Sequence, residues 1–98
     1  MKILQPPNWT EPKGYANGTM AEVQVGSRII FVGGQIGWNA QQEFETDNLA
    51  EQVGQTLRNI VDVLKEGGAG PEHITRMTWY VVDKKEYTSQ LREIGKQY

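Results

Sequence analysis

Three observations on this 98-residue chain predict an α+β fold. A β-prone stretch with a glycine turn precedes a long, capped, amphipathic helix. A second β-prone stretch follows, and a second capped helix closes the chain. The order β-β-α-β-α predicts a sandwich of one mixed sheet with two helices on one face, because each apolar face must be buried against another element.

The first twenty residues are rich in Pro, Gly and Asn, as in Pro6-Pro7-Asn8-Trp9 and Gly14-Tyr15-Ala16-Asn17-Gly18. They predict an ordered loop with a short edge strand. Trp9 and Tyr15 are large for a loop, so the arm is expected to pack over a sheet edge. Contact with a ligand is the functional alternative. Ala21-Glu22-Val23-Gln24-Val25 alternates as a half-buried strand does, and Gly26-Ser27 fits a two-residue turn. Arg28-Ile29-Ile30-Phe31-Val32 does not alternate and predicts a strand covered on both faces. One helical layer covers only one face of a sheet, so the other points to oligomerisation. Gly33-Gly34-Gln35-Ile36-Gly37 ends the strand with glycines that allow positive φ or close approach, and 39–46 follows as a polar loop.

The spacing predicts a helix from Asn48 to Lys65. Asn48 and Glu51 are spaced as a capping box, with Asp47 an alternative cap, and Leu49, Val53, Leu57, Ile60, Val61 and Leu64 form one stripe. Gly67-Gly68 supplies the stop. Gly54, costly inside a helix, is accounted for by a tight crossing over the sheet. Ile74 to Val82 predicts another strand, with Met77, Trp79 and Val81 facing a core and the opposite side also covered. Asp83 and Glu86 open the last helix, whose Tyr87, Leu91, Ile94 and Tyr98 recur at helical spacing to the final residue without a stop signal.

Composition is that of one ordinary globular domain, 38% hydrophobic and 22% charged. A net charge of −2 offers no footprint for nucleic acid or an anionic membrane. Without cysteine there is no disulfide framework and no thiolate site. No apolar run has the length of a signal peptide or a membrane span, which makes cytoplasmic the default location.

Motifs of phosphate-binding loops, nucleophile elbows and zinc proteases are absent from the sequence. His73 is the lone histidine and lacks partners at metal-ligand spacing, so a surface role is expected. Ser27 and Ser89 carry no triad signature. The 33–37 glycines precede a loop rather than a helix N-terminus, which argues against a dinucleotide site and favours a bulge or bend.

Taken together, Gly14-Tyr15-Ala16-Asn17-Gly18, Ile30 through Gly37, Ala50-Glu51-Gln52 with Thr56-Leu57-Arg58-Asn59-Ile60, and Ile74 through Asp83 with Tyr87 resemble the Rid/YjgF family in order and spacing. The resemblance covers nearly the whole chain. It implies a single chorismate-mutase-like domain over residues 1–98, incomplete at its C-terminus, in a homotrimer with clefts between subunits. It also implies hydrolysis of reactive enamines and imines to 2-oxo acids and ammonia, without metal or cofactor. The alternative is a non-catalytic trimeric module that binds small carboxylates. The family has also been labelled endoribonuclease, for which the acidic balance gives no support.

Carried over by position, Tyr15 corresponds to the family's cleft tyrosine and Gly34 to the glycine whose backbone lines the substrate. Gly33 stands where a serine is usual, Gln35 completes the substrate-binding segment, and Leu91 lies nearest the register of a helix asparagine. The family's carboxylate-clamping arginine, a planar fork suited to that task, and a late glutamate belong to final strands expected beyond Tyr98. No catalytic residue is therefore assigned within the chain. Arg28, Arg58, Arg76 and Arg92 lie outside the motif.

Overall fold

The computed structural model describes residues 1–24 and 26–98. Its sheet has three antiparallel strands in the order β1-β2-β3: β1 Lys2–Leu4, β2 Gly18–Gln24 and β3 Ser27–Val32. Helices α1 Leu49–Glu66, α2 Lys84–Ser89 and α3 Leu91–Gln97 follow, with a 3-10 turn at Pro71–His73. The α+β class stands. The sheet differs from the expected mixed one, because every ladder among the described residues is antiparallel.

The N-terminal arm does cover a sheet edge. Lys2, Ile3 and Leu4 pair with Met20, Thr19 and Gly18 of β2. Strand β2 begins at Gly18, three residues before the alternation does, and the expected end of that strand at Val25 lies outside the described residues. Ser27 pairs with Gln24 and so belongs to β3 rather than to a turn, while Gly26 takes a φ of 83°.

Alternation of side chains divides the sheet into two faces. Leu4, Gly18, Met20, Ile30 and Val32 face the helices; Ile3, Thr19, Ala21, Ile29 and Phe31 face away. Helix α1 comes very close. A Cβ on Gly18 would meet Val63 Cγ1 at 2.6 Å, and one on Gly67 would meet Ile30 Cδ1 at 2.7 Å. Leu4 and Val63 are fully buried here. On the open face Ile3, Ile29 and Phe31 remain 67%, 47% and 59% exposed.

Helix α1 starts where the cap was expected, with Asn48 Oδ1 accepting the Glu51 N–H at 3.0 Å. Only half the box forms, because the Asn48 N–H donates to Thr46 Oγ1 instead of Glu51. At the other end Gly67 and Gly68 close the helix, Gly68 at a φ of 75°, and the Ala69 N–H returns to the Leu64 carbonyl. Arg28 reaches across from β3 and donates to the Gly67 carbonyl at 3.1 Å, a cation placed at the negative end of the helix.

Of the expected apolar stripe only Leu64 is buried; Leu49, Val53, Leu57, Ile60 and Val61 are half-buried. The tight approach at Gly54 is made by Gln97 of α3, not by the sheet. Helix α3 runs alongside α1 in the same direction, since Gln90 meets Ala50 and Gln97 meets Gly54.

Two expectations fail. No ladder forms at 74–82 among the described residues, so the predicted third strand of the sandwich is not one. A strand exists only by pairing, and β-propensity without a neighbour decides nothing. The expected core face is not buried either: Trp79 and Val81 are 37% and 42% exposed, though less so than Tyr80 and Val82 at 94% and 106%. Trp79 leans on Tyr98, with ring centroids 6.1 Å apart. The far side, expected to be covered, is open.

The last helix is also broken, at Gln90. Asp83 Oδ1 caps α2 as expected, accepting from Lys85 and Glu86 N–H groups. Thr88 and Ser89 hydroxyls then return to the Lys84 and Glu86 carbonyls. Such side-chain bonds compete with the backbone ladder. The Gln90 side chain is drawn off to accept the Ala50 N–H at 3.1 Å, satisfying a first-turn amide of α1.

These burial values predict that Val63→Ala costs about 2 kcal/mol of unfolding free energy in urea titration. Val82→Ala is expected to stay within about 0.5 kcal/mol of the unmodified chain in the same titration.

Candidate functional site

The candidate site is the excursion from Gly33 to Thr46, which leaves β3 and returns to the start of α1. Its first residues are tied to the N-terminal arm. The Gly33 N–H donates to the Asn17 carbonyl at 2.7 Å. A Cβ on Gly33 would meet the Ala16 carbonyl oxygen at 2.6 Å, so glycine is required here by close approach rather than by φ. Gln35 Nε2 donates to Asn17 Oδ1 and to the Gly33 carbonyl, both at 3.2 Å. Asn17 is buried and passes the chain on, its Nδ2 donating to Gln5 Oε1 at 2.7 Å. Gln5 Nε2 is buried without a partner among the described residues.

The middle of the excursion is tied to α1. Asn59, 3% exposed, donates its Nδ2 to the Ile36 carbonyl at 3.0 Å and to the Trp38 carbonyl at 2.9 Å. A Cβ on Gly37 would meet the Gln52 carbonyl at 2.7 Å. The far end is fixed by Gln52 Nε2, which donates to the Thr46 carbonyl at 2.9 Å. Between these ties, Trp38 bridges to Phe44 across a small turn. Asn39 Oδ1 accepts the Gln41 and Glu43 N–H groups there.

Of the predicted residues, Gly33 and Gln35 are brought into contact with the Tyr15 arm through Ala16 and Asn17. Both use their polar groups inside the protein. Gly34 differs: nothing lies within 4 Å of a Cβ built on it. No hydrogen bond among the described residues engages its backbone. Tyr15 is 51% exposed, and its hydroxyl accepts from Gln42 Nε2 at 3.0 Å. Trp9, Tyr15, Asn17, Trp38, Gln42 and Asn59 border a narrow cleft with room for about one water molecule. A small organic acid does not fit inside this cleft, whereas Gly34 and Tyr15 are exposed at the surface.

The other positions carry different roles. His73 is exposed and its Nδ1 accepts the Gly70 N–H, a local contact at the 3-10 turn. Leu91 is 49% exposed at the start of α3. Arg28 is engaged at the C-terminal end of α1, and Arg58 Nη2 donates to Gln55 Oε1 at 3.4 Å. Among the described residues no cluster of three or more acidic, histidine or cysteine side chains is arranged to hold a metal. No helix among them is long and apolar enough to cross a membrane.

Asn17 and Asn59 were not singled out as site residues from the sequence. The signal for Asn59 is its position: an amide three and four residues before Asp62 and Val63, on the turn of α1 that looks toward the glycine loop.

The site thus defines an α+β protein that presents a glycine backbone from a doubly tethered loop. Comparison with known proteins gives the class a family. The family model described as Endoribonuclease L-PSP matches residues 14–98, and the chain belongs to that family, the Rid/YjgF family. A RutC family protein of Aquifex aeolicus is 35% identical over 70 residues, covering 71% of this chain and 55% of the relative. The 2-iminobutanoate/2-iminopropanoate deaminase of Homo sapiens is 27% identical over 84 residues, covering 85% of this chain and 61% of the relative. The protein of the same name from Bos taurus matches to the same extent. The chain therefore spans 55% to 61% of the length of these curated relatives. No solved structure matches the chain significantly.

Removing the Asn17 side chain leaves Gln5 Oε1 without its donor and Gln35 Nε2 with only the Gly33 carbonyl. Asn17→Ala is expected to cost about 2 kcal/mol by urea unfolding, in line with buried polar groups left unpaired. Gln42→Ala loses an exposed contact to Tyr15, and its expected cost is below about 0.5 kcal/mol.

Proposed function

We propose that the chain supplies the loop-and-arm wall of a cleft for small imino and 2-oxo acids. The protein it belongs to hydrolyses reactive enamines or imines to 2-oxo acids and ammonia. The observation that carries this is Gly34: its backbone is free and open while the residues on either side are held. A fixed, unengaged peptide group is suited to meeting a carbonyl, carboxylate or developing charge without reorganising. The names of the human and bovine relatives supply the substrate class. Tyr15 adds an exposed hydroxyl beside the arm that holds the loop.

The assembly proposed is a homotrimer, supported by the open apolar sheet face at Ile3, Ile29 and Phe31. The small internal cleft argues the same way, since a second copy can supply the wall that one chain lacks. The working unit is a single domain without metal or cofactor, acting in the cytosol; a sequence without cysteine accords with that compartment. RNA cleavage is disfavoured by a net charge of −2, which offers little attraction to a polyanion.

Binding without turnover is the second reading. It is favoured by Gly33, which brings no hydroxyl to the loop, and by Gln35, whose amide is occupied by Asn17.

Hydrolysis predicts that micromolar protein speeds loss of enzymatically generated 2-iminobutanoate and release of ammonia over the buffer rate. No acceleration, together with a thermal shift from 2-oxobutanoate, establishes the binding reading instead. Neither acceleration nor a shift removes both.

A further inference from the structure

The helix face opposite the glycine loop is polar where packing alone would make it apolar. Gln52, Asn59 and Val63 lie along the side of α1 that meets the rest of the chain, and only Val63 meets the sheet. Asn59 is as buried as the core residues, at 3% exposure, yet it makes no apolar core. Its one amide nitrogen carries two hydrogens, and the two carbonyls it meets belong to Ile36 and Trp38. These flank Gly37, the residue whose Cα lies against the Gln52 backbone. Its oxygen is also fixed, accepting from Gln55 Nε2 at 2.8 Å, and Gln55 in turn accepts from Arg58. With two carbonyls on one side and an amide donor on the other, the Asn59 side chain has a single orientation that satisfies every group.

We propose that Asn59 is a positioning residue for the Gly33–Trp38 loop: its bridge between the Ile36 and Trp38 carbonyls holds the Gly34 backbone in place for a ligand. The role in binding rests on the reading of Gly34 given above. Asn59 itself stays behind the loop, acting through the backbone from Ile36 to Trp38. The arm supplies the opposing tie, through Asn17 to Gly33 and Gln35. Gly34 thus sits between two anchors, and losing the helix-side anchor frees the loop while the β2–β3 ladder persists.

The test is amide hydrogen exchange on the full chain, paired with titration of 2-oxobutanoate. In Asn59→Ala, exchange at Gly33 and Trp38 is expected to rise about tenfold while the β2–β3 ladder amides change little. The affinity for 2-oxobutanoate is expected to fall about tenfold. Ile94→Ala, a buried change in the α3 layer, serves as the purely structural control: it lowers global stability but leaves the affinity of folded protein unchanged. If Asn59→Ala does not fold, Gln55→Ala keeps the Asn59 donor but loosens its orientation. It is expected to raise exchange at the same two amides about threefold. Unchanged loop exchange in the folded variant overturns the proposal. So does an unchanged affinity where the unmodified chain binds. If the unmodified chain binds no 2-oxo acid but the loop amides still respond, the positioning of the loop stands and the ligand reading fails.

Discussion

Helix α1 and the sheet lie closer than side chains normally allow, and the arrangement depends on that distance. Gly18 and Gly67 leave no room for a Cβ between the helix and β2–β3, so Val63 presses directly on the strand backbone. Further along the same helix, Gly37 removes the Cβ that would keep the loop away from Gln52. Only at this separation can an asparagine side chain reach two loop carbonyls at once. Close packing and polar recognition are therefore consequences of one geometry, in which glycines set the spacing and the asparagine uses it.

The two ties on the loop differ in kind. On the arm side a buried chain of amides runs from Gln35 through Asn17 to Gln5, and it ends in an unpaired donor at Gln5. On the helix side every polar group around Asn59 has a partner. A buried amide network is strongest when complete, so the helix side is the firmer support. Tyr15 lies on the arm side, next to Ala16 and Asn17.

Local chemistry was legible in the sequence, and long-range chemistry was not. Asn48 and Asp83 announce their helices because a cap needs only its own next three residues. Gly67 and Gly68 stop α1 for the same reason. The three residues of β1 carry no pattern of their own and become a strand because Met20, Thr19 and Gly18 offer an edge. The stretch from Ile74 to Val82 has the opposite character, a strong pattern with no edge to join. The break at Gln90 is set by Ala50, whose amide draws the side chain across a separation of 40 residues. Of the candidate site, the glycine segment and Tyr15 were singled out by motif. Asn59 lay within a helix motif but its role was not legible, because a polar residue inside an amphipathic helix is taken for surface unless its partner carbonyls are known.

The exposed stretch around Tyr80 and Val82 has a consequence for how the chain survives in a crowded solution. Trp79-Tyr80-Val81-Val82 is β-prone, uncharged and open to water, the composition that seeds intermolecular pairing. It is bounded by Arg76 on one side and by Asp83, Lys84, Lys85 and Glu86 on the other. Charges in those positions act as gatekeepers, since stacking a second copy in register would bring like charges together. Asp83 is one of these flanking charges as well as the cap of α2, so local structure and charge patterning share one side chain.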